Sequence, residues 1–248
     1  MATNYNPKTV MDGLVVYVDA GNIKSYPGSG TTLKDLSSNG LDLSATGTLN
    51  TATDAKAGTI YNQNGSSLIQ TATFTPISSL TWSIIWWIRS TGAPPSNYGG
   101  MMRLMDSNSG TGSNYPGYYW QTDNRTTTNS YIHEYQKAWN GTDNQTNWSA
   151  GNVVATADWG SQAWFCCGVS HNKPVGGNGV FRSYRNGSIV ATRTNTLPNS
   201  GYGDINQLLF NVSSGNSVYM GAVSLYNRVL TDLEFKQNFN ALKGRYGY

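Results

Sequence analysis

The chain has 248 residues, of which only 12% are charged, while Asn, Ser, Thr and Gly together account for 107. The charged share is about half the usual one; such neutral side chains favour turns and strands, which argues against a helical bundle or coiled coil, and an aromatic content of 12% argues against a disordered polymer. The formal net charge of +3 comes without a dense basic stripe (Arg182, Arg185 and Arg193 are spread along one hairpin), so nucleic acid is not an expected partner.

Residues 1–12 read as an extended N-terminal arm. They hold no basic stretch followed by an apolar one, so synthesis in a cytoplasm without a secretory signal is expected. Gly13–Asp19 is a short apolar strand, and a turn-rich stretch from Ser25 to Gly47 follows, with Pro27, Gly28, Gly30, Asn39 and Gly40. The clearest strand is Ser79–Ser90. Leu80, Trp82, Ile84, Trp86 and Ile88 share one wholly apolar face that must be buried. Thr81, Ser83, Ile85, Trp87 and Arg89 share the other, whose mixed character predicts partial cover. The longest apolar run here, Ile84 to Ile88, is strand-sized, so no membrane insertion is expected.

Further strands are expected at Gly100–Asp106, Tyr118–Thr122, Tyr131–Gln136, Ala163–Ser170, Val180–Arg185, Ser188–Thr194, Gln207–Val212 and Val218–Tyr226. Asn186-Gly187 between two of them is a hairpin signal, because both central positions of a type I′ turn need positive φ. Two long irregular stretches, Gly92–Gly117 and Asn140–Gly151, are where a β scaffold would carry a binding site. The chain closes on one helix. Thr231-Asp-Leu-Glu234 forms a capping box, Leu230 and Phe235 a hydrophobic staple, and Phe235, Phe239 and Leu242 an apolar stripe. This helix is expected to pack on the end of the sandwich. With no linker and no repeat, residues 1–248 read as a single domain.

Cys166 and Cys167 are neighbours that a strand would point to opposite faces, so they make a poor disulfide and an incomplete zinc pattern with His133 and His171. Both thiols are expected to pack as small apolar groups, and His171, placed just after a strand, to bond an adjacent loop. Seven Asn-x-Ser/Thr sequons follow from the Asn and Thr richness alone.

Trp164-Phe-Cys-Cys-Gly168 leads to Tyr184-Arg-Asn186-Gly187, and Met220-Gly-Ala-Val-Ser-Leu225-Tyr226-Asn227-Arg228-Val-Leu230-Thr231-Asp-Leu-Glu234 closes the domain. Over roughly residues 80 to 245 this order and spacing resembles the concanavalin A-like lectin/glucanase superfamily in its laminin G-like form. Gly13–Asn22, Ser25–Gly30 and Asp35-Leu-Ser-Ser-Asn39-Gly40, with the ending Gln237–Tyr246, look like such domains in virion proteins of tailed bacteriophages. The resemblance implies an all-β, two-sheet antiparallel jelly roll with a short C-terminal helix, displayed on the exterior of a virion.

Glucanases of that superfamily carry their acids as Glu-x-Asp-x-Glu on one strand face. Retaining hydrolysis needs two carboxylates about 5–5.5 Å apart. Here no three acids alternate: Asp232 and Glu234 belong to the capping box, leaving Glu134 as the sole other glutamate, beside His133 but on the opposite strand face. No Gly-x-Ser-x-Gly elbow occurs either. No catalytic residue is therefore assigned. Calcium would need an array of oxygen ligands, and no Asp-x-Asp-x-Asp-Gly loop is present; no metal or cofactor is expected.

Sugar rings stack on aromatics and share hydroxyls with amides. Tyr98, Tyr115, Tyr118, Tyr119, Trp120, Trp139 and Trp148 lie in or beside the long loops; core packing is the plainer reading of Trp120 and of half the tyrosines. Tyr98, Tyr115, Tyr119, Trp139 and Trp148 are taken as the carbohydrate-binding candidates. The expectation is a non-enzymatic structural and adhesive protein of a tailed-phage virion, on capsid or tail, whose partners are other virion proteins, cell-surface glycans and further copies of itself. A free-standing soluble lectin and a glucanase-like hydrolase remain the alternatives.

Overall fold

The computed structural model describes residues 8–63, 68–78, 80–90, 99–107, 117–126, 129–137, 145–146, 162–174, 177–195, 204–210 and 218–248. In chain order the elements are β1 (Leu14–Val18), β2 (Thr32–Leu33), β3 (Leu43–Ala45), β4 (Thr51–Asp54), β5 (Gly58–Asn62), β6 (Ile69–Thr71), β7 (Thr81–Ser90) and β8 (Gly99–Met105). They continue as β9 (Gly117–Thr126), β10 (Asn129–Lys137), β11 (Gln145–Thr146), β12 (Phe165–Asn172), β13 (Gly179–Arg185), β14 (Ser188–Asn195), β15 (Gln207–Phe210), β16 (Val218–Tyr226) and helix α1 (Asp232–Leu242).

The strands form two antiparallel sheets. One runs β14-β13-β12-β7-β16-β5-β4, with β1 also on β16; the other runs β11-β10-β9-β8-β15-β6-β3-β2. The two-sheet sandwich, with the short terminal helix as the one helix among the described residues, is the expected fold class. Ten strands, β1, β7–β10 and β12–β16, lie at the expected positions to within a few residues; β4, β5, β6 and β11 had no expected counterpart, and the turn-rich stretch after Ser25 also holds β2 and β3. Those strands are two and three residues long, too short for alternation to reveal them.

Trp82, Ile84, Trp86 and Ile88 of β7 fill the space between the sheets, opposite Met102, Leu104, Tyr118 and Trp120. Trp82 meets Tyr118 and Trp120 edge-on at centroid distances of 4.5 and 5.9 Å, and Trp86 lies 5.7 Å from Trp120. Edge-to-face rings at such spacing add to the area they bury.

The opposite face of β7 is covered more fully than expected, with only Thr81 and Arg89, near its ends, half-buried. Ser83, Ile85 and Trp87 are all buried. Helix α1 does not sit on the end of the sandwich; it lies across this outer face, where Phe235, Phe239 and Tyr246 join Ile85, Trp87, Cys166, Tyr184 and Tyr226 in a second core. Tyr184 stacks on Phe235 at 3.6 Å, while Trp87 stacks on Tyr246 at 4.1 Å and on Phe239 at 5.7 Å. Such an approach leaves no room for side chains beneath it. A Cβ on Gly168 would fall 2.6 Å from the Phe235 ring, and one on Gly221 would overlap the Tyr246 phenol.

The helix start is as the sequence predicts. Thr231 Oγ1 accepts from Glu234 N at 3.3 Å, and Glu234 Oε2 accepts from Thr231 N at 2.8 Å. Asn186 and Gly187 adopt φ of 51° and 74° in the β13–β14 turn. The described part of the N-terminal arm packs on the helix: Val10 N donates to Asn238 Oδ1 at 2.9 Å, and Gln237 Nε2 to Lys8 O at 2.8 Å.

Both cysteines are free and buried, and they face opposite cores, Cys167 inward and Cys166 outward. His171 departs from expectation. Pairing of β12 with β7 and β13 extends to Asn172, so His171 lies within the strand opposite Trp82 and Phe181, fully buried. Its ring stacks on Phe181 at 4.1 Å, and its Nδ1 lies 3.1 Å from Tyr118 Oη.

Candidate functional site

Of the five aromatic candidates, Tyr98, Tyr115, Trp139 and Trp148 lie outside the described residues. Tyr119 is placed by its backbone, paired in β9 with Arg103 and Tyr135, but its side chain lies outside the description too. Tyr118 and Trp120, their neighbours on that strand, belong to the inner core and are removed from any ligand.

Four of the described carboxylates, Asp19, Asp54, Asp232 and Glu234, serve the fold. Asp54 accepts from the amides of Lys56 and Ala57, from Trp164 Nε1 at 3.2 Å and from Arg89 Nη1 at 2.8 Å. Burial pushes its carboxyl up, but these donors outweigh burial and hold it below the usual range. Asp19 takes a bidentate bond from Arg245, at 2.6 and 2.8 Å. Asp232 accepts from Tyr184 Oη at 2.8 Å. The Arg228 guanidinium holds Glu234 down at about 2. Among the described residues no group of three or more His, Cys, Asp or Glu side chains could hold a metal ion. The side chain of Glu134 lies outside the description.

One groove, of about 540 Å³, opens where β1, the turn after β2, the segment after β6 and the end of β16 meet. Its first wall comes from the turn that begins at Asp35. The Asp35 carboxylate accepts from Tyr17 N, Ser37 N, Ser37 Oγ and Leu41 N at 2.6 to 2.9 Å. That cage seats the turn along the free edge of β1. There Leu36 N donates to Tyr17 O, Ser37 Oγ to Val15 O at 3.1 Å, and Asn39 Nδ2 to the Leu14 and Val15 carbonyls at 3.0 and 2.8 Å. Side chains thus satisfy an edge that would otherwise invite a foreign strand. This is the physical content of the Asp-Leu-Ser-Ser-Asn-Gly motif.

The second wall is the Thr73–Ile77 segment. Phe74 N donates to Asn206 O at 2.9 Å, and Ile77 exchanges a backbone pair with Ile205 at 2.8 and 2.9 Å. Asn227 completes the rim; its N donates to Gly13 O at 2.9 Å. Leu14, Phe74 and Ile77, all buried, form the floor, and Asn39, Thr73, Thr75 and Asn227 stand exposed around it. None of the eleven lining residues is ionisable. The sequence reading missed this site because its walls come from four separate parts of the chain and it lacks the aromatic residues used as markers.

No protein-family model and no curated protein sequence matches the chain. Solved structures do. The binding domain of Paraclostridial Mosquitocidal Protein 1 is 17% identical with a TM-score of 0.63, and the botulinum neurotoxin serotype D binding domain 12% identical with a TM-score of 0.63. The binding domain of botulinum neurotoxin DC, in complex with SialylT, is 16% identical with a TM-score of 0.61. Each match covers 93% of this chain and 52% of the other, so the chain spans about half the length of these structures. At such identities the likeness is one of fold: this chain shares the β-sandwich of those domains.

Proposed function

We propose that this protein is a non-catalytic module that holds a glycan. The observation that carries this reading is its scaffold, a rigid sandwich of the kind found in toxin binding domains, one of them in complex with a sialylated sugar. The engagement of Asp19, Asp54, Asp232 and Glu234 in structural bonds supports the non-catalytic part. A glycan array probed with the purified protein tests the reading: reproducible binding to a defined set of sugars is expected, and a blank array contradicts it.

The finer reading is a concanavalin A-like, laminin G-like domain on the exterior of a tailed-phage virion, on capsid or tail, touching cell-surface glycans. Its support is the closing Leu225-Tyr-Asn-Arg-Val-Leu-Thr-Asp-Leu-Glu234 segment and the Asp35–Gly40 motif. Multicopy assembly has support in β14, the outermost described strand of its sheet, where Ile189 and Val190 are 44% and 49% exposed. Mass spectrometry of purified particles separates this from a free-standing lectin: stoichiometric copies are expected, and absence from the particle refutes the virion placement.

A further inference from the structure

We propose that the groove between β1 and the Thr73–Ile77 segment is the glycan subsite, and that it takes an uncharged saccharide unit rather than a sialylated or otherwise acidic one. The proposal rests on the glycan-binding reading and adds the place and the ligand class.

Among the described residues no ionisable group lines the groove, and this sets the class. A carboxylate or sulfate entering the groove would give up hydration and find no cation in the lining to replace it, which is costly. The adjoining charges are already matched. Arg228 bonds Asp12 O and the Asp12 carboxylate at 3.1 and 2.8 Å and pairs with Glu234, so its guanidinium is committed to the helix start.

The rim offers what neutral hydroxyls need. Asn39 spends its Nδ2 on the β1 carbonyls, which fixes the carboxamide, while its Oδ1 has no partner among the described residues. The Asn227 carboxamide is exposed, and among the described residues only its backbone N–H has a partner. An amide presents both donors and acceptors, and the hydroxyls of Thr73 and Thr75 do the same, so they suit sugar hydroxyls of either sense. The apolar floor suits the C–H face of a pyranose. A volume of about 540 Å³ lies within the range of small-ligand clefts. Both walls are held by the backbone and side-chain bonds described above, so little ordering is lost when a ligand enters.

The test is an ¹⁵N NMR titration of the intact chain with neutral oligosaccharides and their sialylated counterparts, repeated on Asn227→Ala and Thr75→Val. Neither side chain has a partner among the described residues, so unchanged melting temperatures will confirm intact folding. Neutral sugars are expected to shift the amides of Leu14, Asn39, Phe74 and Asn227, and each substitution to weaken binding about fivefold, the share of one hydrogen bond. Neutral binding that maps elsewhere and survives both substitutions overturns the groove and leaves the glycan reading standing. Binding of sialylated sugars alone overturns the ligand class. Binding of no sugar by the unsubstituted chain overturns both this proposal and the reading beneath it.

Discussion

The C-terminal tail is the fastening of the outer core, and Gly221 is the position that measures it. Tyr246 Oη accepts from Ala222 N at 2.8 Å and from Arg245 Nη2 at 2.6 Å, and its ring covers Trp87. A Cβ on Gly221 would meet the Oη, Cζ and Cε1 atoms of that ring, with the two carbons at 2.7 and 2.8 Å. Gly221→Ala should therefore force the tail outward, at a cost of about 1–3 kcal/mol for overpacking. Tyr246→Leu removes the three clashing atoms, keeps apolar cover on Trp87 and leaves the Ala222 amide without its acceptor. Its cost should be about 2–3 kcal/mol, from the buried unpaired donor and lost ring area. The two substitutions should not add. In the Tyr246→Leu background the alanine has space, so the double variant should be about 1–2 kcal/mol more stable than the sum of the single effects. Urea unfolding followed by tryptophan fluorescence, read as a midpoint shift at constant slope, measures each corner of the cycle. Additive effects would refute the seating of Tyr246 over Gly221.

Other consequences are open to direct measurement. With Glu234 held at about 2 in the fold against an ordinary value near 4.5, its contribution is complete above the ordinary value and is lost as pH falls through about 2; Glu234→Gln should flatten the acid limb of the stability curve. At the alkaline end, burial pushes Tyr17 and Tyr184 up to about 12 and raises Tyr226 and Tyr246 as well, so stability should fall as pH rises above the ordinary tyrosine value of 10. An absorbance titration at 295 nm that shows these phenols ionising near 10 in the folded protein would contradict that. Asn186→Ala should cost about 2 kcal/mol, because it forces alanine into positive φ and removes the 3.0 Å acceptor of Cys166 N, whereas Asn186→Gly should cost only about 1 kcal/mol. Cys166 and Cys167 should resist a thiol reagent in the native state and react only on unfolding, since both are buried and burial pushes the Cys166 thiol up.

Long strands and local chemistry were legible in the sequence, and surfaces made by distant segments were not. Ten residues of alternation in β7 announced a buried face, and the capping box and Asn-Gly turn specified their own geometry, because each depends on residues within one turn of one another. Cover on the far face of β7 depends on Phe239 and Tyr246, more than 150 positions away, and nothing in the Ile85 and Trp87 pattern says which segment will reach it. His171 read as a loop neighbour because the strand was expected to end at Ser170; pairing on both sides of β12 carries the strand through the histidine. Of the aromatic residues in or beside the long loops, the described side chains are those of Tyr118 and Trp120, both buried. They serve the core, as the sequence made the plainer reading for Trp120, whereas the groove, lined by amides, hydroxyls, aliphatic side chains and the ring of Phe74, is assembled from segments far apart in the chain.

The most direct test of binding without catalysis is to incubate the protein with a glycan it retains on an array and then weigh the recovered sugar by mass spectrometry. The account predicts an unaltered mass after prolonged incubation at stoichiometric protein. Recovery of shortened oligosaccharide, abolished by Glu134→Gln, would contradict it.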